Sequence, residues 1–152
     1  MKNIFNQDDY KTITARIKSL TPVSERVWGT MNVQETIVHC TEPVREALGI
    51  RKTKDLSNWF YRSIGKYIVL YVLPWPKGKL PTSPYYDVKK KGTTISNFED
   101  DKDVLLKMLS NFYTTTSGFE FSPHPLLGKL NHHQWGRMTW LHLDHHLRQF
   151  GV

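Results

Sequence analysis

The sequence predicts an all-α fold, on three observations. Successive segments repeat apolar residues every three to four positions, the period of a helix with one buried face. Three of them open on Asn or Ser with Glu or Gln three residues on, the signature of a capping box. The connections between them are punctuated by Pro and Gly, and no clear pair of alternating strand-like runs is visible.

The first helix is expected over residues 7–20, where Tyr10, Ile13, Ile17 and Leu20 share a face, and Pro22 ends it. A second opens at Asn32 with Glu35 as its box partner. Its stripe runs Val33, Ile37, Cys40, Val44 and Leu48, and Gly49 stops it. Pro43 falls inside, so a bend or a weakened turn is expected there.

Residues 57–73, "SNWFYRSIGKYIVLYVL", are rich in aromatic and β-branched residues that favour a strand locally. Their length and the opening Ser57 and Asn58, both fair caps, predict a helix instead. The following "PWPKGKLPTSPYYDVKKKGTT" holds Pro74, Pro76, Pro81 and Pro84 with two glycines, and reads as one long loop. Loops of that length inside a domain are usually functional or disordered. The next helix, in "SNFEDDKDVLLKMLSNFYTTT", begins with Ser96 as cap and Glu99 as box partner, and buries Phe98, Leu105, Met108, Leu109 and Phe112. After a second punctuated connection, "SGFEFSPHPLLGKL", the last helix opens at Asn131 with Gln134. It runs to Phe150, just before Gly151.

At 152 residues the chain is expected to form one domain, 1–152, able to bury a core without disulfides. The single cysteine, Cys40, excludes an intrachain disulfide and fits a reducing, cytoplasmic setting. The N-terminus lacks the apolar stretch of a signal peptide, and "SIGKYIVLYVLPWP" is too short to span a bilayer. No membrane association is expected. Twenty-one Lys and Arg against 14 Asp and Glu give +7, a balance that suits a polyanion. The excess sits in 51–54 and 77–91, both loop-like, so solvated surface is preferred over nucleic-acid binding. No Ser/His/Asp triad, phosphate-binding Gly loop or dinucleotide fingerprint is visible.

The chemistry-bearing stretch is "MTWLHLDHHLRQFGV", with His142, His145 and His146. Residues four apart share a helix face, so His142 and His146 project together and can reach one metal ion. Two ligands seldom suffice. His39, inside the second helix on a row that must be largely buried, is the natural third, since bundle sites are built from facing helices. Three neutral imidazoles suit Zn, Ni, Fe or Cu and leave a coordination position open for water or substrate. From spacing alone, surface or satisfied core histidines account for the pattern equally well.

Taken together, "WGTMNVQETIVHC" (28–40), "SPHPLLGKLNHHQWG" (122–136) and "HLDHHLRQF" (142–150) resemble the DinB-like family. The similarity is to its bacterial subgroup with a closing His-x-x-His-His-x-x-Gln-Phe motif. These motifs lie in three parts of the chain and cover most of it. The resemblance implies a four-helix bundle with additional short segments and a divalent metal, zinc or nickel. It places that metal on one histidine of the second helix and an HxxxH pair of the last, here His39, His142 and His146. DinB-like proteins include thiol S-transferases that use bacillithiol or mycothiol, and a thiol-dependent isomerase. This chain departs from them in lacking a motif assignable to such a thiol.

Neighbouring residues have open roles. His145 is either a pocket residue or an exposed edge. Gln149 could hydrogen-bond a ligand imidazole, and Glu35 could orient His39, although its capping role is favoured. His124, between two prolines, could reach the pocket mouth or simply stiffen a turn. Trp135 packs between helices or reaches the site. Cys40 is expected in the core; Asp144, His132 and His133 are expected at the surface. The expectation is therefore a divalent-metal enzyme acting on a small molecule, as a thiol-dependent S-transferase or a hydrolase, with a homodimer as the oligomer to test. The alternative is a non-catalytic ligand-binding or interaction protein with a vestigial metal site.

Overall fold

Local hydrogen bonding sets where each helix begins. The computed structural model describes residues 1–72, 75–77 and 83–152, and among these it is all-helical, without strands. Helix α1 (Gln7–Ser19) starts where Asn6 accepts hydrogen bonds from the backbone N–H groups of Asp8 and Asp9. Helices α2 (Val33–Ala47) and α4 (His132–Leu147) both open on complete capping boxes, Asn32 with Glu35 and Asn131 with Gln134. Each box satisfies two backbone donors that a helix start would otherwise leave unpaired.

Helix α3 (Phe98–Tyr113) corrects one expectation. Its cap is Asn97, which accepts from Asp100 N at 3.0 Å, one residue later than the predicted Ser96. Ser96 instead donates its backbone N–H to Asp101, and Glu99 pairs with Lys102 at 2.8 Å rather than closing a box. The carboxamide one residue on reaches the orphan N–H first.

The ambiguous segment is helical but not regularly so. From Trp59 it includes two π-helical turns, Tyr61–Gly65 and Ile68–Val72, with Asn58 accepting from Tyr61 N. Wide turns of this kind suit a segment whose β-branched and aromatic side chains resist α-helical crowding. Its predicted end at Leu73, and residues 74 and 78–82 of the long loop, lie outside the described residues. Helix α2 continues through Pro43, which lacks the N–H that would normally donate to the His39 carbonyl.

Helices α1 and α2 each pack against both α3 and α4, and the second π turn packs on α4. The shared core is formed by Ile13, Ile17, Ile37, Val44, Leu105, Leu109, Phe112, Leu143 and Leu147. Leu109 and Phe112 are completely buried, so truncating either to Ala would cost about 2–5 kcal/mol. The N-terminus closes one side: Ile4 N donates to Gly136 O at 3.1 Å, and a side chain at Gly136 would collide with Asn3 and Phe5. Asp144, expected at the surface, is buried and ion-paired with Arg16 of α1 at 2.8 Å, which ties α1 to α4. His132 is likewise not free surface. It stacks on Phe5 at 3.6 Å between centroids and bonds the Thr115 carbonyl, whereas His133 is exposed. Among the described residues no helix is long and apolar enough to cross a membrane.

Candidate metal centre

The packing of α2 on α4 brings His39 to the HxxxH pair. The imidazoles of His39, His142 and His146 each offer a nitrogen within 4.8 Å of the others, and His39 Nε2 lies 3.0 Å from His142 Nε2. Ring centroids are 4.6–4.9 Å apart around the triangle.

Two of the three rings are locked in a definite tautomer. His39 Nδ1 is 3.0 Å from the carbonyl oxygen of Tyr86, which can only accept, so Nδ1 carries the proton and Nε2 presents its lone pair to the cluster. His146 Nδ1 lies 2.6 Å from Gln149 Oε1, with the same consequence. Outer partners of this kind orient a ligating ring and raise its basicity. All three rings are held below the ordinary histidine range. Burial pushes His146 down to about 3, with His39 adding to it. Burial lowers His39, partly opposed by the Tyr86 carbonyl. His142 lies well below 6.5 through burial and its histidine neighbours. The cluster is therefore neutral near pH 7, the state in which imidazole ligates a metal.

This donor set fits a borderline-soft divalent ion. Three neutral nitrogens converge, and a zinc–nitrogen bond of about 2.0–2.1 Å would space tetrahedral ligand nitrogens roughly 3.3 Å apart, close to the spacing of His39 and His142. His39, His142 and His146 are the residues that could hold it.

The cluster forms one wall of a cavity of about 390 Å³. His142 is half-buried because its ring borders this space. Leu56, Trp75, Pro125, Leu126 and Met138 supply an apolar lining. His145 also lines it, half-buried, edge-on to Trp28 at 4.9 Å and to His146 at 5.1 Å. His124 reaches the cavity from the connecting segment, fully within the fold.

Two suggested neighbours do not reach the cluster. Glu35 binds Asn32 N at 2.9 Å and Lys89 at 3.0 Å, so its carboxylate is committed to the helix start and a loop lysine, and the Tyr86 carbonyl holds the His39 ring instead. Trp135 is 1 % exposed, packed against Phe121 and His124, and does not line the cavity. Cys40 is buried in the core, where burial pushes its thiol pKa up.

Three residues in the site are not singled out as site residues from the sequence. Tyr86 acts through its backbone carbonyl, and its hydroxyl donates to Glu46, a buried carboxylate of α2 that also receives Thr53. Beside it, fully buried Glu42 pairs with Arg45 and Arg51 and accepts from Thr93. Arg51 in turn donates to the carbonyls of Tyr85 and Lys91. This network pins the loop to α2 and so fixes the Tyr86 carbonyl over His39. Trp75 lies 6.1 Å from His142, and its Nε1 donates to Val69 O. Trp28 flanks His145, and the adjacent Gly29 has φ +88°. A side chain at Gly29 would collide with the Gln149 amide, so that glycine makes room for the group that holds His146.

The model of a family described as "Protein of unknown function (DUF1569)" matches residues 3–151. No curated protein and no solved structure matches the chain.

Proposed function

The chain belongs to the DUF1569 family, and from the geometry of its histidine cluster we propose that it is a divalent-metal-dependent enzyme of the DinB-like type, built on a four-helix bundle and acting on a small molecule. The observation that carries this reading is the pair of fixed tautomers. The Tyr86 carbonyl and Gln149 Oε1 each take the Nδ1 proton, leaving His39 and His146 with bare Nε2 atoms beside His142. A satisfied core histidine would not need both lone pairs aimed at its neighbours.

Zinc or nickel, when bound, supplies a Lewis acid that lowers the pKa of a coordinated water or thiol. The residues of the chain do the rest. His39, His142 and His146 would hold the ion at the wall of the cavity. Leu56, Trp75 and Met138 keep water away from an apolar ligand body. His145 is the lining imidazole outside the cluster and the His124 turn, and is placed to take a proton from the incoming nucleophile. Transfer to a low-molecular-weight thiol and hydrolysis both use this arrangement.

The test is metal content of untagged protein by elemental analysis. We expect stoichiometric zinc or nickel that is lost in His142→Ala. Metal-free protein whose stability is the same with and without chelator would overturn the reading. For the reaction, thiol nucleophiles and a panel of electrophiles are compared between wild type and His146→Ala; equal rates would remove the metal centre from the chemistry.

A further inference from the structure

Besides His145, the cavity wall carries another imidazole outside the metal centre. His124 sits in the turn Ser122–Gly128, where the backbone N–H and C=O of His124 and Gly128 bond each other reciprocally, both at 2.9 Å. Gly128 closes the turn with φ +67°, and Pro123 and Pro125 stiffen it on either side of the ring. The ring is held from one side. Its Nδ1 lies 3.1 Å from the backbone N–H of Leu126 and 3.1 Å from that of Leu127.

A backbone N–H can only donate, so Nδ1 must carry a lone pair and the ring proton belongs to Nε2. Two donors on one nitrogen make that tautomer unambiguous. Burial holds the imidazolium pKa down at about 4, so the ring stays neutral across the physiological range. Among the described residues Nε2 has no hydrogen-bond partner, although the ring lines the cavity and is only 7 % exposed. Nε2 is not sealed inside the protein, so it takes its acceptor, water or a ligand oxygen, from the cavity that the ring borders. Of the other rings there, Trp75 donates Nε1–H to Val69 O and the Tyr86 hydroxyl donates to Glu46, while His145 is the ring assigned above to proton transfer.

We propose that His124 is a specificity-determining donor of this cavity, offering Nε2–H to a carbonyl or carboxylate oxygen on a ligand whose apolar body lies against Trp75, Leu56 and Met138. The assignment rests on the cavity being the ligand site of the metal centre. It excludes a proton-donating role for this ring, since a neutral imidazole N–H does not ionise near neutral pH. It serves instead to bind the oxygen and to stabilise negative charge developing on it.

The experiment uses the full chain, stripped of metal and zinc-loaded, with two probes of one shape: acetophenone, and α-methylstyrene, in which C=CH₂ replaces C=O. In wild type, the long-range proton–nitrogen NMR correlation of His124 should show the Nε2–H tautomer, and its N–H resonance should move with acetophenone but not with α-methylstyrene. In His124→Phe, which keeps a ring without a donor, the ratio of the two affinities should shift about 10-fold against acetophenone. A wild-type ring protonated on Nδ1, an N–H resonance that acetophenone leaves in place, no binding of acetophenone, or an unchanged ratio in a folded variant would each overturn the proposal. The wild-type measurements decide the matter should His124→Phe fail to fold. Failure to retain zinc would instead overturn the metal reading, because the probe comparison is also made without metal.

Discussion

Replacing Gln149 by Leu isolates the hydrogen bond that orients one histidine of the cluster. The two side chains are similar in size, so packing beside Gly29 is kept while the acceptor 2.6 Å from His146 Nδ1 disappears. Gln149 and His146 are both buried, at 5 % and 7 % exposure, so water does not readily replace the lost partner. Leaving a buried N–H unpaired costs about 1–3 kcal/mol. That cost falls on the stripped and the loaded fold alike, so affinity drops through the lost orientation and basicity of the ring, by the roughly 10- to 100-fold typical of partners that orient a metal-bound histidine. We therefore expect zinc affinity about 10- to 100-fold weaker, measured on chelator-stripped protein by competition with a chromophoric chelator at neutral pH. Helical content by far-ultraviolet circular dichroism should be unchanged, and Gln149→Glu, which keeps an acceptor in place, should retain most of the affinity. A Gln149→Leu protein that folds normally and binds zinc as tightly as wild type would refute the assignment of His146 as an Nδ1-held ligand.

Gly29→Ala forces a side chain into the left-handed region and onto the Gln149 amide, so it should weaken zinc binding as Gln149→Leu does and also destabilise the fold by about 1–3 kcal/mol; normal zinc affinity would break the proposed link. Tyr86→Phe removes the hydroxyl from buried Glu46 but leaves the carbonyl on His39, so urea titration should show about 1–3 kcal/mol of lost stability with the metal stoichiometry intact. Stability should also depend on acid in a defined direction. His124 is held at about 4 in the fold against 6.5 when unfolded, so above pH 6.5 it contributes no pH dependence. Below that the unfolded chain takes up the proton first, and stability falls by about 3 kcal/mol by pH 4 from this ring alone, with His146, held at about 3, acting in the same sense. Urea midpoints measured across that range should fall less steeply in His124→Phe; an identical slope would show that the ring is not buried neutral.

Much of this molecule is readable from short-range chemistry. The starts of α2 and α4 are legible because a capping box joins residues only three apart, whatever the rest of the chain does. That His142 and His146 face one way follows from helical pitch alone. Where two neighbouring residues compete for one short-range role, the reading slips, as at Ser96 and Asn97. The segment from Trp59 to Val72 is helical, as its length predicts against its strand-like composition, but neither property specifies a π turn.

The third histidine of the cluster and its supports depend on long-range docking. His39 lies 103 residues from His142, and only the packing of α2 against α4 sets their nitrogens 3.0 Å apart. Asp144 is buried because Arg16 of α1 arrives opposite it, which periodicity along α4 cannot reveal. The group that fixes His39 is a backbone carbonyl, an atom every residue possesses, so no residue type marks Tyr86 as its owner. Side-chain identity and spacing specify the helices and the HxxxH face; the orientation of the rings and the closure of the cavity arise from contacts between backbone atoms and side chains far apart in the chain, for which the sequence carries no local signature.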